Sequence, residues 1–154
     1  NDQSLKDVKF VKTYSIIICN NVTYLEEKQT EDGKKIFDYC DVLVAKTLKT
    51  ISKRQLQNSS IKKIVCPNLT ELQQNALNSS AFLKNVDLKN VKQFGIQCLE
   101  SCCNLEEIVN DKATSLDQVL SDCSKLRKVK FNNVRKVMHN FLGNSDVLSL
   151  SLKR

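Results

Sequence analysis

The stretch Lys125–Ser145, KLRKVKFNNVRKVMHNFLGNS, places apolar residues at Leu126, Val129, Phe131, Val134, Val137 and Phe141. This spacing is neither a helical stripe nor a strand alternation over its whole length. The same slots recur one period upstream as Leu105, Ile108, Asn110, Ala113, Leu116 and Leu120. One period further back they hold Leu83, Val86, Leu88, Val91, Phe94 and Leu99, and the period before that Ile61, Ile64, Cys66, Leu69, Leu72 and Leu77. A weaker copy lies at Leu43, Ala45, Leu48, Ile51 and Leu56, and Val147, Leu150 and Leu152 open one more. Self-similarity at a fixed period of this size marks a solenoid.

Each unit contains a segment of the LRKVKF type, in which Val129 and Phe131 lie two apart. Residues two apart share one side of a strand, so these point inward while Lys128 and Lys130 point out. The later apolar residues, at intervals of three and four, predict a turn and a short helical or 3-10 return leg. The expected fold is an α/β repeat solenoid with a parallel strand ladder and 21–22-residue repeats. One coil cannot bury its apolar face alone, whereas stacked coils share a core. The outward strand residues are then Lys63 and Val65, Asn85 and Asp87, Glu107 and Val109, Lys128 and Lys130, Ser149 and Ser151. Small residues near the end of each unit, Ser59, Ser80, Cys102, Cys123 and Asn144, fall in one column suited to bonding free backbone groups. The unit with Asn110 and Ala113 is poorly apolar; either this coil is loose or Asn110 bonds to a neighbour.

Residues 40–154 carry the regular pattern, with the last repeat incomplete. Residues 1–39 are read as diverged N-terminal coils or a cap. There Tyr14, Ile17, Cys19, Val22 and Leu25 fit one degenerate coil, and LKDVKF at 5–10 is similar to LRKVKF at 126–131. The charged run EEKQTEDGKKIFD at 26–38, with Gly33, breaks the period as an inserted hairpin or loop. The final LSLSLKR is not an obvious polar cap for a terminal coil. A segment of a longer protein is therefore expected, or cover from another chain, with end-to-end self-association through the incomplete repeat.

The formal charge of +7 is concentrated at the C-terminal end, where residues 125–154 hold eight basic residues and one acidic. Such an end steers an acidic protein partner or a membrane surface, although an ordinary solvated face reads the same way. Without interleaved aromatics or a recognised module, nucleic acid is not an expected partner. No apolar run is long enough to span a membrane. The seven cysteines cannot all pair within the chain. Cys98, Cys102 and Cys103 are close in sequence but form no CxxC pair, and His139 is the only histidine, so neither a metal nor another cofactor is expected. Without a phosphate-binding glycine loop or a nucleophile motif, no catalytic residues are assigned.

The units, read as L-x-x-I-x-L-x-x-V-x-x-F with a late Cys, resemble the BspA-like class of leucine-rich repeats. The matching stretches are IVCPNL at 64–69, VKQFG at 91–95 and CLESCCNLEEI at 98–108. The resemblance implies a leucine-rich repeat solenoid without catalytic residues. It also implies binding to proteins or host matrix, with cell-surface adhesion the usual role. BspA-like repeats occur in surface and secreted proteins of some bacteria and of protozoan parasites including Entamoeba and Trichomonas, and the Lys- and Asn-rich composition is similar to the protozoan members.

Two roles follow. A surface or secreted recognition module would use the outward strand face, with Lys63, Asn85, Asp87, Glu107, Lys128 and Lys130 as contact residues. A cytoplasmic scaffold or regulatory domain of a larger protein would fit the unpaired cysteines. Sequons at Asn21, Asn58, Asn68 and Asn78 separate the two if the chain enters a secretory route.

Overall fold

The computed structural model describes residues 8–11, 16–19, 21–25 and 36–152. Strand β1 (Val8–Val11) runs antiparallel to β2 (Ile16–Cys19). From β2 onward every pairing is parallel. Strands β2, β3 (Val42–Val44), β5 (Lys63–Val65) and β7 (Asn85–Val86) form one ladder, and β9 (Glu107–Asn110), β11 (Lys128–Phe131) and β13 (Ser149–Leu152) another. On a second side of each coil lie two-residue strands: β4 (Thr50–Ile51), β6 (Glu71–Leu72) and β8 (Gln93–Phe94), then β10 (Ser115–Leu116) and β12 (Lys136–Val137). The molecule is thus a parallel-strand solenoid whose period is that of the sequence.

The two-residue apolar spacing acts as the notation of the register. Lys63 lies opposite Val42 and Asn85, and Lys128 opposite Glu107 and Ser149. Leu43, Ile64, Ile108 and Val129 are buried, as are Ala45, Cys66, Leu88, Asn110 and Phe131 two residues further on. In the early coil Ile17, Cys19, Val22 and Leu25 are also buried. Tyr14 and residues 26–35 of the charged run lie outside the described residues. The strand in LKDVKF does not stack as another parallel coil; its described part, β1, pairs antiparallel with β2.

The return legs are not helical. Among the described residues the only 3-10 helix is Ile36–Tyr39, ahead of β3. Two residues four apart in each leg take a left-handed backbone: Arg54 and Asn58, Asn75 and Ser79, Gln97 and Ser101, Gln118 and Asp122, Asn140 and Asn144. Such residues cannot belong to a right-handed helix. They make alternate N–H groups face along the stack. Gln55, Gln57 and Ser59 donate three residues back to Ser52, Arg54 and Leu56, while Arg54, Leu56 and Asn58 donate to Gln74, Ala76 and Asn78 of the next coil. The result is a third ladder of hydrogen bonds between coils, made from turns.

A column of small side chains closes each leg. Ser80 Oγ donates to Leu56 O at 2.7 Å, Cys102 Sγ to Leu77 O at 3.3 Å and Cys123 Sγ to Leu99 O at 3.2 Å. The last member is Ser145, whose Oγ donates to Leu120 O at 2.7 Å, and not Asn144. The final step of the column is one longer than the step from Cys102 to Cys123, and Asn144 takes the left-handed slot equivalent to Asp122.

Both strand ladders break at one seam: β7 does not pair with β9, nor β8 with β10. The coil beyond the seam contains Asn110 and Ala113, its least apolar positions. Asn110 is fully buried and makes four hydrogen bonds. Its Nδ2 donates to Leu88 O at 2.6 Å and Val91 O at 2.8 Å, while its Oδ1 accepts from Lys112 N at 3.0 Å and Ala113 N at 2.8 Å. Space left by this coil is filled from its neighbours, where the Phe131 ring meets Phe94 and Phe141 edge-on at 5.8 and 6.4 Å.

The coil before the seam is held against the one preceding it. Gly95 N donates to Leu72 O at 2.7 Å, and a Cβ on Gly95 would lie 2.4 Å from Gln74 N and 2.5 Å from the Gln73 carbonyl carbon. Backbone atoms cannot step aside as a side-chain tip can. Gly95→Ala is expected to cost about 3 kcal/mol, a Tm loss of roughly 6–12 °C for a chain of this size. A thermal melt that moves by less than a degree would show that the coil shifts freely.

Candidate functional site

The outward faces of β2, β3, β5, β7, β9, β11 and β13 form the candidate recognition surface. Parallel pairing without slippage lines their side chains in rows. One row runs Ile16, Val42, Lys63, Asn85 and, beyond the seam, Glu107, Lys128, Ser149. The adjacent row pairs Ile18, Val44 and Val65, and beyond the seam Val109, Lys130 and Ser151.

Five of the six candidate residues fall into two groups. Lys63, Asn85 and Asp87 surround one shallow hollow of about 350 Å³, and Glu107 and Lys128 line another of about 540 Å³. Lys130 lines neither. Lys128 Nζ lies 2.5 Å from Glu107 Oε1, so these two largely neutralise each other. Asp87 is occupied locally, since its Oδ1 accepts from Lys89 N at 3.0 Å and fixes the turn after β7. Lys63, Asn85 and Lys130 have no side-chain bonding partner among the described residues and are exposed.

The structure extends the apolar part of this face, of which the sequence had placed Val65 and Val109 outward but not Ile16, Ile18, Val42 or Val44. Ile16, Ile18, Val42, Val44 and Val65 are only half-buried on this outward face. The signal was available in SIIIC and DVLVA, where apolar residues occupy both faces of the strand instead of alternating with polar ones. Half-exposed valines beside unpaired lysines suit a protein surface with an apolar centre and acidic groups at its rim. Both hollows are open, unlike the enclosed pockets that take small molecules.

No arrangement suited to catalysis emerges among the described residues. His139 is 82% exposed, and its Nδ1 lies 3.7 Å from Asp117 Oδ1. Glu106 pairs with Lys84 at 3.0 Å, while Glu107 pairs with Lys128. All seven cysteines are free thiols, and six are buried. Loss of solvation pushes Cys19 and Cys40 up to about 11 and Cys66 and Cys123 up to about 12; Cys98 and Cys102 are raised well above the ordinary thiol value by the same burial. Backbone hydrogen bonds offset only part of this for all but Cys19. A thiol held in its neutral form is a packing group and a weak donor, not a nucleophile. Among the described residues, no three His, Cys, Asp or Glu side chains are grouped to hold a metal ion. Likewise, no helix of the described residues is long and apolar enough to cross a membrane.

Parallel strands that recur at the period of the sequence, stacked around a shared apolar core, define a solenoid repeat protein. The family profile described as BspA type Leucine rich repeat region (6 copies) matches residues 10–119 and 49–153. The chain belongs to the BspA-type leucine-rich repeat family. No curated protein matches the sequence, and no solved structure does. Family and fold make it a protein-interaction repeat module, a scaffold that presents side chains in rows.

Proposed function

We propose that the chain is a cell-surface or secreted recognition module, with its outward strand face contacting a protein partner in adhesion. The observation that carries this reading is the pair of adjacent rows, one with unpaired Lys63 and Asn85, the other with half-exposed Ile18, Val44 and Val65 and, beyond the seam, unpaired Lys130. The ladder fixes the backbone beneath these side chains, so their spacing is set before binding. The partner surface is acidic where it meets Lys63 and Lys130.

Binding of the labelled protein to intact cells and immobilised matrix proteins tests this. The pair Lys63→Glu and Lys130→Glu is expected to lower affinity about tenfold, or about 1.4 kcal/mol. Lys53→Glu, on a return leg, leaves it unchanged. Equal loss in both variants would remove the strand face from the reading. No binding to cells or matrix would favour a cytoplasmic scaffold.

The scaffold reading has its own support in the seven free thiols, since reducing compartments keep thiols unpaired. The sequons help separate the two. Asn21 and Asn58 are exposed and lack side-chain partners among the described residues. Asn68 Nδ2 donates to Lys46 O at 2.7 Å, and Asn78 Nδ2 to Glu100 Oε2 at 2.8 Å. Intact mass from native cells, read for glycan at Asn21 and Asn58 and for alkylatable thiols, distinguishes the compartments.

A further inference from the structure

We propose that the solenoid is two rigid blocks, residues 42–102 and 107–152, that swing about the return-leg ladder and are latched at the opposite corner by Asn110. At the other steps, two successive N–H groups entering the main strand share one carbonyl of the preceding coil. Lys62 and Lys63 donate to Asp41, Lys84 and Asn85 to Lys62, and Arg127 and Lys128 to Glu106. At the seam Glu106 and Glu107 make no such bonds to Lys84. The second side behaves alike. Lys92 and Gln93 donate to Thr70, and Arg135 and Lys136 to Thr114, but Thr114 and Ser115 make none to Lys92.

The third side is intact across the same seam. Gln97 N donates to Gln118 O at 3.1 Å, Leu99 N to Val119 O at 3.3 Å and Ser101 N to Ser121 O at 2.9 Å. Asn104 N, donating to Ala81 O at 3.2 Å, closes the end of that side. A coil bonded along one side and open along two can rotate about the bonded side. The corner facing that hinge lies between the two open ladders, where Asn110 ties Leu88 O and Val91 O across the seam. Asp111 N adds a bond to Lys89 O at 3.1 Å there, and the Phe94–Phe131 ring contact supplies the apolar part of the latch. The ion pairs Lys84–Glu106 and Lys89–Asp111 span the gap through largely exposed lysine side chains, which stretch and re-form. Opening changes the angle between the Lys63–Asn85 and Lys128–Lys130 halves of the strand face.

Native-state hydrogen exchange by NMR on the whole chain tests this, because bonds broken in a local opening exchange ahead of global unfolding. The Asp111 amide, at the latch, is expected to exchange at least 100-fold faster than the hinge amides of Leu99 and Ser101 after correction for intrinsic rates. Asn110→Ala is expected to speed Asp111 by a further tenfold or more, because the bonds it deletes are absent from the opened state. A common rate for Asp111, Leu99 and Ser101 in the unmodified chain would overturn the hinge. So would an Asp111 rate left unchanged in Asn110→Ala. If that variant does not fold, the comparison within the unmodified chain decides by itself.

Discussion

Raising the pH above about 9 is expected to unfold the protein steeply, with the transition complete by roughly pH 11. The cause is the buried thiols. An ordinary value of 9.0 applies in the unfolded chain, whereas burial holds Cys19 and Cys40 at about 11 and Cys66 and Cys123 at about 12, with Cys98 and Cys102 also raised well above the ordinary value. Below pH 9 both states keep the protons and the stabilisation is fully present. Above it the unfolded chain releases protons that the folded chain retains, so stability falls as pH rises towards the folded values. Each thiol contributes at most about 1.4 kcal/mol per pH unit. Six together reach roughly 8 kcal/mol per unit, comparable with the whole stability of a typical domain at about 5–15 kcal/mol. Circular dichroism against pH, with reductant present, measures it. A native spectrum at pH 12 would contradict the account. So would an equally steep transition when Cys19, Cys40 and Cys66 are all alanine.

Phe131→Ala is expected to be the most damaging single truncation in the core, at about 3–5 kcal/mol. The ring is fully buried and meets two others edge-on, a geometry worth about 0.5–1.5 kcal/mol per pair beyond area alone. Its neighbour towards the seam offers Asn110 and Ala113, so no bulky side chain there can move in to fill the space. A Tm drop of roughly 10–15 °C is expected, against a much smaller one for Phe131→Leu. A loss below about 1 kcal/mol, too small for an unfilled cavity, would mean that the coil collapses around the vacancy.

The parallel ladder was legible because a two-residue spacing fixes which side chains share a face, and a constant period fixes what lies beside what. That logic carried Lys63 to Asn85 and Glu107 to Lys128 in the correct rows. It also implied, without being drawn out, that Glu107 and Lys128 neutralise each other. The return legs were misread because intervals of three and four serve a helix and a double turn equally. The left-handed residues that decide between them include Arg54, Gln97 and Gln118, types that do not announce a turn. Asn110 drew notice as a departure from the pattern, and both readings offered for it have a counterpart in the structure: it bonds to the neighbouring coil, and the ladders beside it are open. The seam itself was hidden because the apolar slots keep their period across it, from Leu83 to Leu105 and from Val86 to Ile108, and missing hydrogen bonds between two backbones leave no mark in the spacing.

A stack of coils transmits tension from one interface to the next, so its strength under load is that of its weakest joint. The step between β7 and β9 has surrendered two of its three ladders. Tugged by a tethered partner, the molecule would yield there first, extending in the middle while both flanking portions kept their shape. For a protein attached to something that moves, such a joint works as a fuse that spares the surfaces on either side.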